Sequence, residues 1–162
     1  MDAVDLLVSQ HRALEARMKV LKDATDDAQR TQLLAQIGDE LTVHITSEEE
    51  IFYPAVRAGR TEDVLLESLE EHLSLKRLLA DLLELAPSAQ TFAPKFQVLK
   101  EQTEHHHEEE EEHLFPKVLK LIDASRREEL GREMQALQKR LARDGAPREA
   151  VADQTEKAAP LE

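Results

Sequence analysis

The chain has 162 residues, a length that suits one domain with a buried core. It has no Trp, only four Gly and 41% hydrophobic residues, a composition that disfavours a turn-rich all-β fold. The net charge of −13 disfavours a general nucleic-acid binder, and the absence of Cys excludes disulfides, thiolate metal ligands and cysteine nucleophiles.

The sequence has no apolar run long enough to span a bilayer. Its first residues also lack the basic and apolar regions of a signal peptide. We therefore expect a cytoplasmic protein whose partners include neither a membrane nor a nucleic acid.

Apolar residues recur at steps of three and four along most of the chain, which predicts α-helices. The first predicted helix carries His11 within its apolar stripe and ends at the polar run 23–27. The second begins near Gln29 and ends near Gly59. A third helix stops near Pro87, and a fourth follows the loop that contains Pro94.

Four helices joined by short loops predict an all-α, up-down-up-down four-helix bundle over residues 1–122. An additional amphipathic C-terminal helix is predicted within residues 123–144, with a stripe similar to a coiled-coil seam. We interpret that stripe as packing on its own bundle, with a homodimer or a protein partner as the alternatives. Residues 145–162 are rich in Ala, Pro and charge and lack an apolar period, so we predict a disordered tail.

Two segments, one in each half of the predicted bundle, repeat one pattern. In each, a His is followed four residues later by a Glu and ten residues later by a Pro: His44, Glu48 and Pro54, then His106, Glu110 and Pro116. A lone His on an apolar stripe precedes each segment by nearly the same distance, His11 before the first and His72 before the second. The repeated spacing indicates an internal duplication of a helical hairpin.

The repeated residues are ones that bind metals. Residues four apart lie on the same face of a helix, so each His-x3-Glu pair aims two ligands in one direction. Imidazole suits iron, copper, zinc and nickel, and six such groups on core stripes would be costly without a partner. The sequence therefore predicts a metal site formed by His11, His44, Glu48, His72, His106 and Glu110.

Other polar residues near the repeats permit more than one interpretation. His113 lies two helical turns after His106, so it would be an extra ligand, a hydrogen-bond partner of a ligand, or a partly exposed residue. His105 and His107 are assigned to helix interfaces or solvent, since each is turned about 100° from His106.

Two further features are given structural or surface roles. In the run 108–112, only Glu110 is expected to reach the core, and the remaining carboxylates form a solvated face, as Glu49 and Glu50 do. Tyr53 directly precedes Pro54, and its offset from His44 points it to the opposite helix face. We therefore expect Tyr53 to be structural.

These residues together resemble the hemerythrin-like family, also called the HHE cation-binding domain, over roughly residues 1–122. The resemblance rests on His11 in its His-Arg-x-Leu-Glu context, on the two His-x3-Glu segments with their Phe-Tyr-Pro and Leu-Phe-Pro ends, and on Glu71-His72. It implies a bundle that holds two non-haem iron ions. By the same resemblance, Glu48 and Glu110 would bridge the ions, and the terminal ligands would be His11, His44, His72 and His106.

One position departs from the oxygen-carrying members of this family, which have a His-x3-His pair on the third helix. Here Lys76 stands four residues after His72. The site therefore resembles the variants with fewer ligands, including the iron-sensing hemerythrin-like domain of an F-box ubiquitin-ligase subunit. Fewer protein ligands leave positions for water, peroxide or nitric oxide, which weakens the case for a dedicated oxygen carrier.

We therefore expect a non-haem di-iron protein that binds or reacts with a small oxidant: oxygen, peroxide or nitric oxide. Whether this reaction is enzymatic is left open. The alternative is a non-enzymatic iron or oxygen sensor that acts through a protein partner. Nitrogen and oxygen ligands also fit zinc or manganese. A ferritin-like oxidase is disfavoured because its Glu-x-x-His motif has the reverse order and a different spacing.

Overall fold

A computed structural model describes residues 1–162, all of whose regular elements are helices. In chain order they are α1 (Ala3–Asp23), α2 (Asp27–Ser47), α3 (Tyr53–Ala55), α4 (Glu62–Leu83), α5 (Phe92–Glu109), α6 (Phe115–Leu121), α7 (Ala124–Arg143) and a 3₁₀ helix (Pro147–Gln154). A π-helical turn joins α2 to α3 (Glu48–Phe52), and a second joins α5 to α6 (Glu110–Leu114). The predicted all-α bundle with an additional C-terminal helix is confirmed.

Three helices begin at an aspartate that caps the first turn. Asp2 accepts a hydrogen bond from the backbone N–H of Asp5, and Asp26 does the same for Gln29. Asp123 caps α7 in the same way. A carboxylate at this position satisfies a free amide and interacts favourably with the positive end of the helix dipole. These caps fix where α1, α2 and α7 start.

Each π-helical turn begins at one of the repeated glutamates. The backbone N–H of Tyr53 donates to the carbonyl of Glu48, five residues earlier, and Phe115 donates to Glu110. Pro54 follows the first turn, as Pro116 follows the second, and neither has an amide hydrogen to continue the α-helical ladder. A π turn holds one residue more than an α turn, so residues beyond it are rotated by about 100° relative to a regular helix.

The core consists of two apolar clusters with a polar layer between them. One cluster is at the end of the bundle that includes Leu7, Phe52, Leu65 and Val118. The other, which includes Met18, Ile37, Leu75, Leu99 and Val151, fills the opposite end. Helices α1 and α4 contribute to both clusters, with His11 and His72 between the two contributions. Helices α2 and α5 contribute to the second cluster, and the π-helical turns that follow them contribute Phe52 and Leu114 to the first. The fold therefore encloses the polar layer in apolar packing.

Helix α7 packs against its own bundle, as its apolar stripe indicated. Leu130 and Met134 are fully buried in the first cluster. Gly131 permits this approach, because a Cβ there would clash with the backbone oxygen of Met1. The start of α1 therefore fits directly against α7.

The predicted disorder of residues 145–162 is not found. Gly145, at a φ of 149°, reverses the chain after α7 and leads into the 3₁₀ helix. Val151 is 2% exposed and belongs to the second cluster, while Arg148 binds Asp39 through its backbone N–H (3.0 Å) and its guanidinium (2.9 Å). The segment is held by one buried Val and one charged pair. Neither feature gives the periodic spacing of apolar residues on which the sequence prediction relied.

None of the helices combines the length and the apolar character needed to cross a membrane.

Candidate metal centre

The structure brings together all six residues predicted as ligands. One imidazole comes from each long helix of the bundle, and the two carboxylates are the first residues of the two π-helical turns. None of the six is more than 4% exposed. The residues are His11, His44, Glu48, His72, His106 and Glu110.

Each carboxylate faces imidazoles from both halves of the repeat. Oε1 of Glu48 lies 3.3 Å from Nε2 of His44 and 3.3 Å from Nε2 of His72. Oε1 of Glu110 lies 3.2 Å from Nε2 of His11 and 3.4 Å from Nε2 of His106. Both glutamates therefore occupy the position of a bridge between two sets of imidazoles.

Five of the polar atoms that face the centre lack hydrogen-bond partners. They are Nε2 of His11, Nε2 of His44, both carboxylate oxygens of Glu48 and Oε1 of Glu110. Although some of these atoms approach each other at ion-pair distance, none makes a hydrogen bond there, and a buried polar atom left unpaired costs about 1–3 kcal/mol. Neighbouring ligands of a cation with bonds of about 2.1 Å lie about 3 Å apart, close to the separations observed.

The donor atoms form two groups that each fit a cation. One group is His11, His44, Glu48 and Glu110, and the other is Glu48, His72 and His106. Within each group, one donor atom of every residue lies within 4.8 Å of the others. The residues present therefore fit two cations held by nitrogen and oxygen, with Glu48 common to both groups.

Burial and nearby charges shift the pKa values of the two glutamates in opposite directions. Burial raises the pKa of Glu48 well above its ordinary value, and the neighbouring Glu110 raises it further. Burial also raises the pKa of Glu110, but His106 and the contacts with Glu48 and His11 outweigh it, so that pKa is well below its ordinary value. The pKa values of the two carboxyl groups therefore shift in opposite directions.

The imidazoles of α2 and α4 are neutral. Burial lowers the pKa of His44 well below its ordinary value, and the nearby His11 lowers it further. Burial also lowers the pKa of His72, against the effect of its hydrogen bond to Glu49. Neutral imidazole is the form that binds a metal ion.

Two glutamates assigned to the solvated face instead support the centre. Oε2 of Glu111 lies 2.8 Å from Nδ1 of His11, and Oε2 of Glu49 lies 2.9 Å from Nδ1 of His72. Each carboxylate accepts the N–H of an imidazole, which turns Nε2 of that ring towards the centre. Glu49 and Glu111 occupy equivalent positions, each directly after a repeated glutamate, so the repeat would have identified them.

The other two imidazoles are supported in the same way by the residues before the lone histidines. Nδ1 of His44 lies 2.8 Å from Oε1 of Gln10, and Nδ1 of His106 lies 2.7 Å from Oε1 of Glu71. Gln10 also joins the centre to α7, because it exchanges hydrogen bonds of 2.8 and 3.2 Å with Gln138.

The expectation that Tyr53 points away from the site is wrong. Its hydroxyl donates to Oε2 of Glu110 at 2.7 Å and lies 3.2 Å from Nε2 of His72. The cause is the π-helical turn, which rotates Tyr53 by about one residue relative to a regular helix. Its counterpart in the second half, Phe115, stacks on His11 as Tyr53 stacks on His72.

The structure does not bring His113 to the centre. Its side chain is 54% exposed, with Nε2 3.8 Å from Glu109 and 3.9 Å from Glu112. Because His113 lies inside the second π turn, it no longer shares a face with His106. Of the three interpretations, only that of an exposed residue agrees with this position.

His107, which the sequence analysis assigned to a helix interface or solvent, lies buried at the interface of α5 with α1, and its place beside the centre was not predicted. It is 1% exposed, its Nδ1 lies 2.9 Å from Oε1 of Glu15, and its ring stacks on that of His11 with centroids 3.7 Å apart. The position of Glu15, four residues after His11, was the available signal. In the second half that position is Lys76, whose Nζ lies 2.9 Å from Oε1 of Glu49.

Comparison with known proteins identifies a family whose model matches this chain. The family model "Hemerythrin HHE cation binding domain" matches residues 2–118 and, in a second alignment, residues 67–159. The second match begins in α4, where the second half of the repeat starts. The family that the sequence motifs resembled is confirmed.

Two individual proteins are similar to most of the chain. A DNA nickase from Nostoc sp. is 26% identical over 141 residues, which are 87% of this chain but 40% of that protein. The crystal structure of an HHE cation-binding domain-containing protein from Mycobacterium kansasii superposes with a TM-score of 0.77 at 22% identity, covering 97% of this chain and 94% of that one. The second similarity is one of fold.

Proposed function

This chain belongs to the hemerythrin HHE cation-binding domain family, and we propose that it is a non-haem di-iron protein that binds or reacts with a small oxidant. Oxygen, peroxide and nitric oxide are the candidate oxidants. The observation that carries the proposal is the placement of Glu48 and Glu110, each between imidazoles of both hairpins. Two metal ions held this close share the charge of both carboxylates.

The ligand residues divide between two metal positions. His11 and His44 would hold one ion, His72 and His106 would hold the other, and the two glutamates would lie between them. Iron bound there supplies electrons and open positions for a small oxidant. Iron is proposed because the family resemblance favours it and the donor set permits it, while zinc and manganese are the outcomes that metal analysis would distinguish.

The residues around the centre hold it in place and keep water out. Acceptors at Nδ1 fix the rings so that Nε2 faces inwards. The hydroxyl of Tyr53 donates to Glu110 and stabilises its ionised form. The apolar clusters on both sides shield the centre from water.

The proposal is tested by anaerobic purification, metal analysis, and optical spectra before and after exposure to oxygen or peroxide. We expect two irons per chain and a near-ultraviolet change on exposure. Glu48→Ala and Glu110→Ala should each reduce the iron content. His105→Ala is the matched control, because this side chain is 65% exposed and should leave both ions bound. Iron-free protein after reconstitution, or full iron content in both glutamate variants, would contradict the proposal.

The second candidate function is sensing through a protein partner, and the link from His44 through Gln10 to Gln138 favours it. In that case metal loading should alter hydrogen–deuterium exchange in α7, and Gln138→Leu should abolish the change. Exchange in α7 that does not respond to metal would count against a sensor of this kind.

The nicking activity in the name of the Nostoc relative is not proposed for this chain. The matched residues are 40% of that protein, and the net charge of −13 disfavours contact with a phosphate backbone.

A further inference from the structure

We propose that His107 is a fifth imidazole ligand and makes the two metal positions unequal. One position would then have three imidazoles, from His11, His44 and His107, and the other would have two, from His72 and His106. This inference rests on the proposed function, since it concerns ligands of the same centre.

The placement of His107 is the first support. It lies on α5 next to His106 and is fully enclosed between α1 and α5. One ring nitrogen each of His11, His44 and His107 lies within 4.8 Å of the others, so the three rings form a group able to hold an ion. The exposed His105, on the other side of His106, has no such neighbours and makes only a long contact with Glu109.

The second support is the hydrogen bond that orients the ring. Nδ1 of His107 is paired with Glu15, which leaves Nε2 as the nitrogen with a free lone pair. Glu15 is itself held by Arg12 at 2.6 Å. Each of the four predicted histidine ligands has the same arrangement, with an acceptor at Nδ1 and Nε2 at the centre. A carboxylate at the second nitrogen is typical of histidines that bind metals.

The repeat shows that this pair is present in one half only. His107 directly follows the repeated His106, and the residue that directly follows His44 is Ile45. The counterpart of Glu15 is Lys76, since each stands four residues after a lone His. Ile45 and Lys76 line one small cavity, so the two counterparts also meet in space. One metal position therefore has a supported imidazole where the other has a side chain that cannot bind metal and a lysine paired with Glu49.

Two consequences follow from the unequal donor sets. The position with three imidazoles should bind the first ion more tightly, so metal should load in two steps. The position at His72 and His106 has fewer protein donors, and the hydroxyl of Tyr53 lies 3.2 Å from Nε2 of His72. A small ligand should therefore exchange at this second position.

The test is an anaerobic titration of the metal-free protein with Fe(II), and separately with Co(II), against a competing chelator. Two binding steps are expected for the wild type. His107→Ala should weaken the tighter step by roughly tenfold or more, since losing even a group that supports a ligand typically lowers affinity 10–100-fold. Glu15→Gln retains the ring and should give a smaller loss. His105→Ala is the control and should leave both steps unchanged.

The outcomes separate this inference from the proposed function. If the wild type binds neither ion, the metal centre itself is wrong. If the wild type binds two ions, His44→Ala weakens one step and His107→Ala changes neither, only the fifth-ligand inference is overturned. Should His107→Ala fail to fold, Glu15→Gln decides: an affinity equal to that of the wild type overturns the inference, and a weakened tighter step supports it. The visible spectrum of bound Co(II) provides a second readout. The two metal positions should give different Co(II) spectra in the wild type and more similar spectra in His107→Ala.

Discussion

Each buried imidazole of the centre has an acceptor at Nδ1, and this common arrangement fixes its chemistry. The acceptors are Glu111, Gln10, Glu49, Glu71 and Glu15 for His11, His44, His72, His106 and His107 respectively. A ring that donates from Nδ1 has its lone pair at Nε2, where a metal ion would bind. The same arrangement makes folding sensitive to acid.

The metal-free protein should lose stability as the pH falls from 6.5 to 4. Burial lowers the pKa of His107 from 6.5 to about 4, although the hydrogen bond to Glu15 raises it. Within this range the unfolded chain binds a proton that the folded chain does not, so the free energy of unfolding decreases as the pH falls. It is unaffected by this group above pH 6.5. The contribution of His107 is at most about 3.4 kcal/mol.

Urea unfolding of the metal-free protein at several pH values in that range measures this effect. His107→Asn removes the titrating ring and should give a shallower pH dependence, while His105→Asn at the exposed neighbouring position should retain the wild-type slope. Equal slopes for all three proteins would show that His107 does not contribute.

At the scale of the helices, the two π-helical turns decide which side chains reach the centre. Counting in α-helical steps correctly placed His44, Glu48, His106 and Glu110, because these positions precede the turns or start them. The same counting failed for Tyr53, which lies beyond a turn. The extra residue of a π turn does not change the spacing of apolar residues in a way that the sequence reveals. Pro54 does indicate where the regular α-helical hydrogen bonding is interrupted.

Deleting Glu50 should be tolerated far better than deleting a residue from the regular part of α2. Glu50 is exposed and lies in the middle of the first π turn. Its removal converts that turn to regular helix, and Tyr53 keeps its direction. Deleting the exposed Gln36 instead rotates one end of α2 by about 100° and separates the core side chains from His44 and Glu48.

Thermal unfolding and iron content compare the two deletions. The protein lacking Glu50 should remain folded and bind iron, whereas the protein lacking Gln36 should lose iron and much of its stability. Equal damage from both would show that the π turn does not absorb a residue in the way that its backbone geometry implies.

At the scale of the whole molecule, a duplicated hairpin has been made asymmetric. The bundle and its six repeated His and Glu residues could be predicted because the duplication and the apolar period are both visible in the sequence. The asymmetric features could not be found in this way: His107 pairs with Glu15 across two helices, and residues 145–162 are held by Val151 and by bonds to backbone carbonyls. Arg77, for example, donates to the carbonyls of Thr155 and Glu156 at 2.8 and 3.1 Å.

The C-terminal segment also covers one approach to the centre. A cavity of about 690 Å³ lies between this segment and the helices α2 and α4, and its lining includes Glu49 and Lys76. Glu49 is hydrogen-bonded to both Lys76 and His72, so this pair of side chains lies between the cavity and His72. The segment forms the outer wall of the cavity.

Ending the chain after Gln154 should therefore accelerate metal loss more than it lowers stability. The truncation removes both acceptors of Arg77 and the outer wall of the cavity, but it leaves Val151 in the core. Two lost hydrogen bonds correspond to about 2 kcal/mol. If all of this free energy favours local opening at this side of the protein, the equilibrium constant for opening rises more than tenfold. Release of iron to a chelator, followed optically, should be faster by about that factor, with only a small decrease in melting temperature. Arg77→Ala should give part of the effect by loosening the same segment. Arg57→Ala, which removes long contacts of 3.3 Å with Leu161 and 3.4 Å with Glu62, should give little. Release rates that are identical in the truncated and intact proteins would show that the metal leaves by another route.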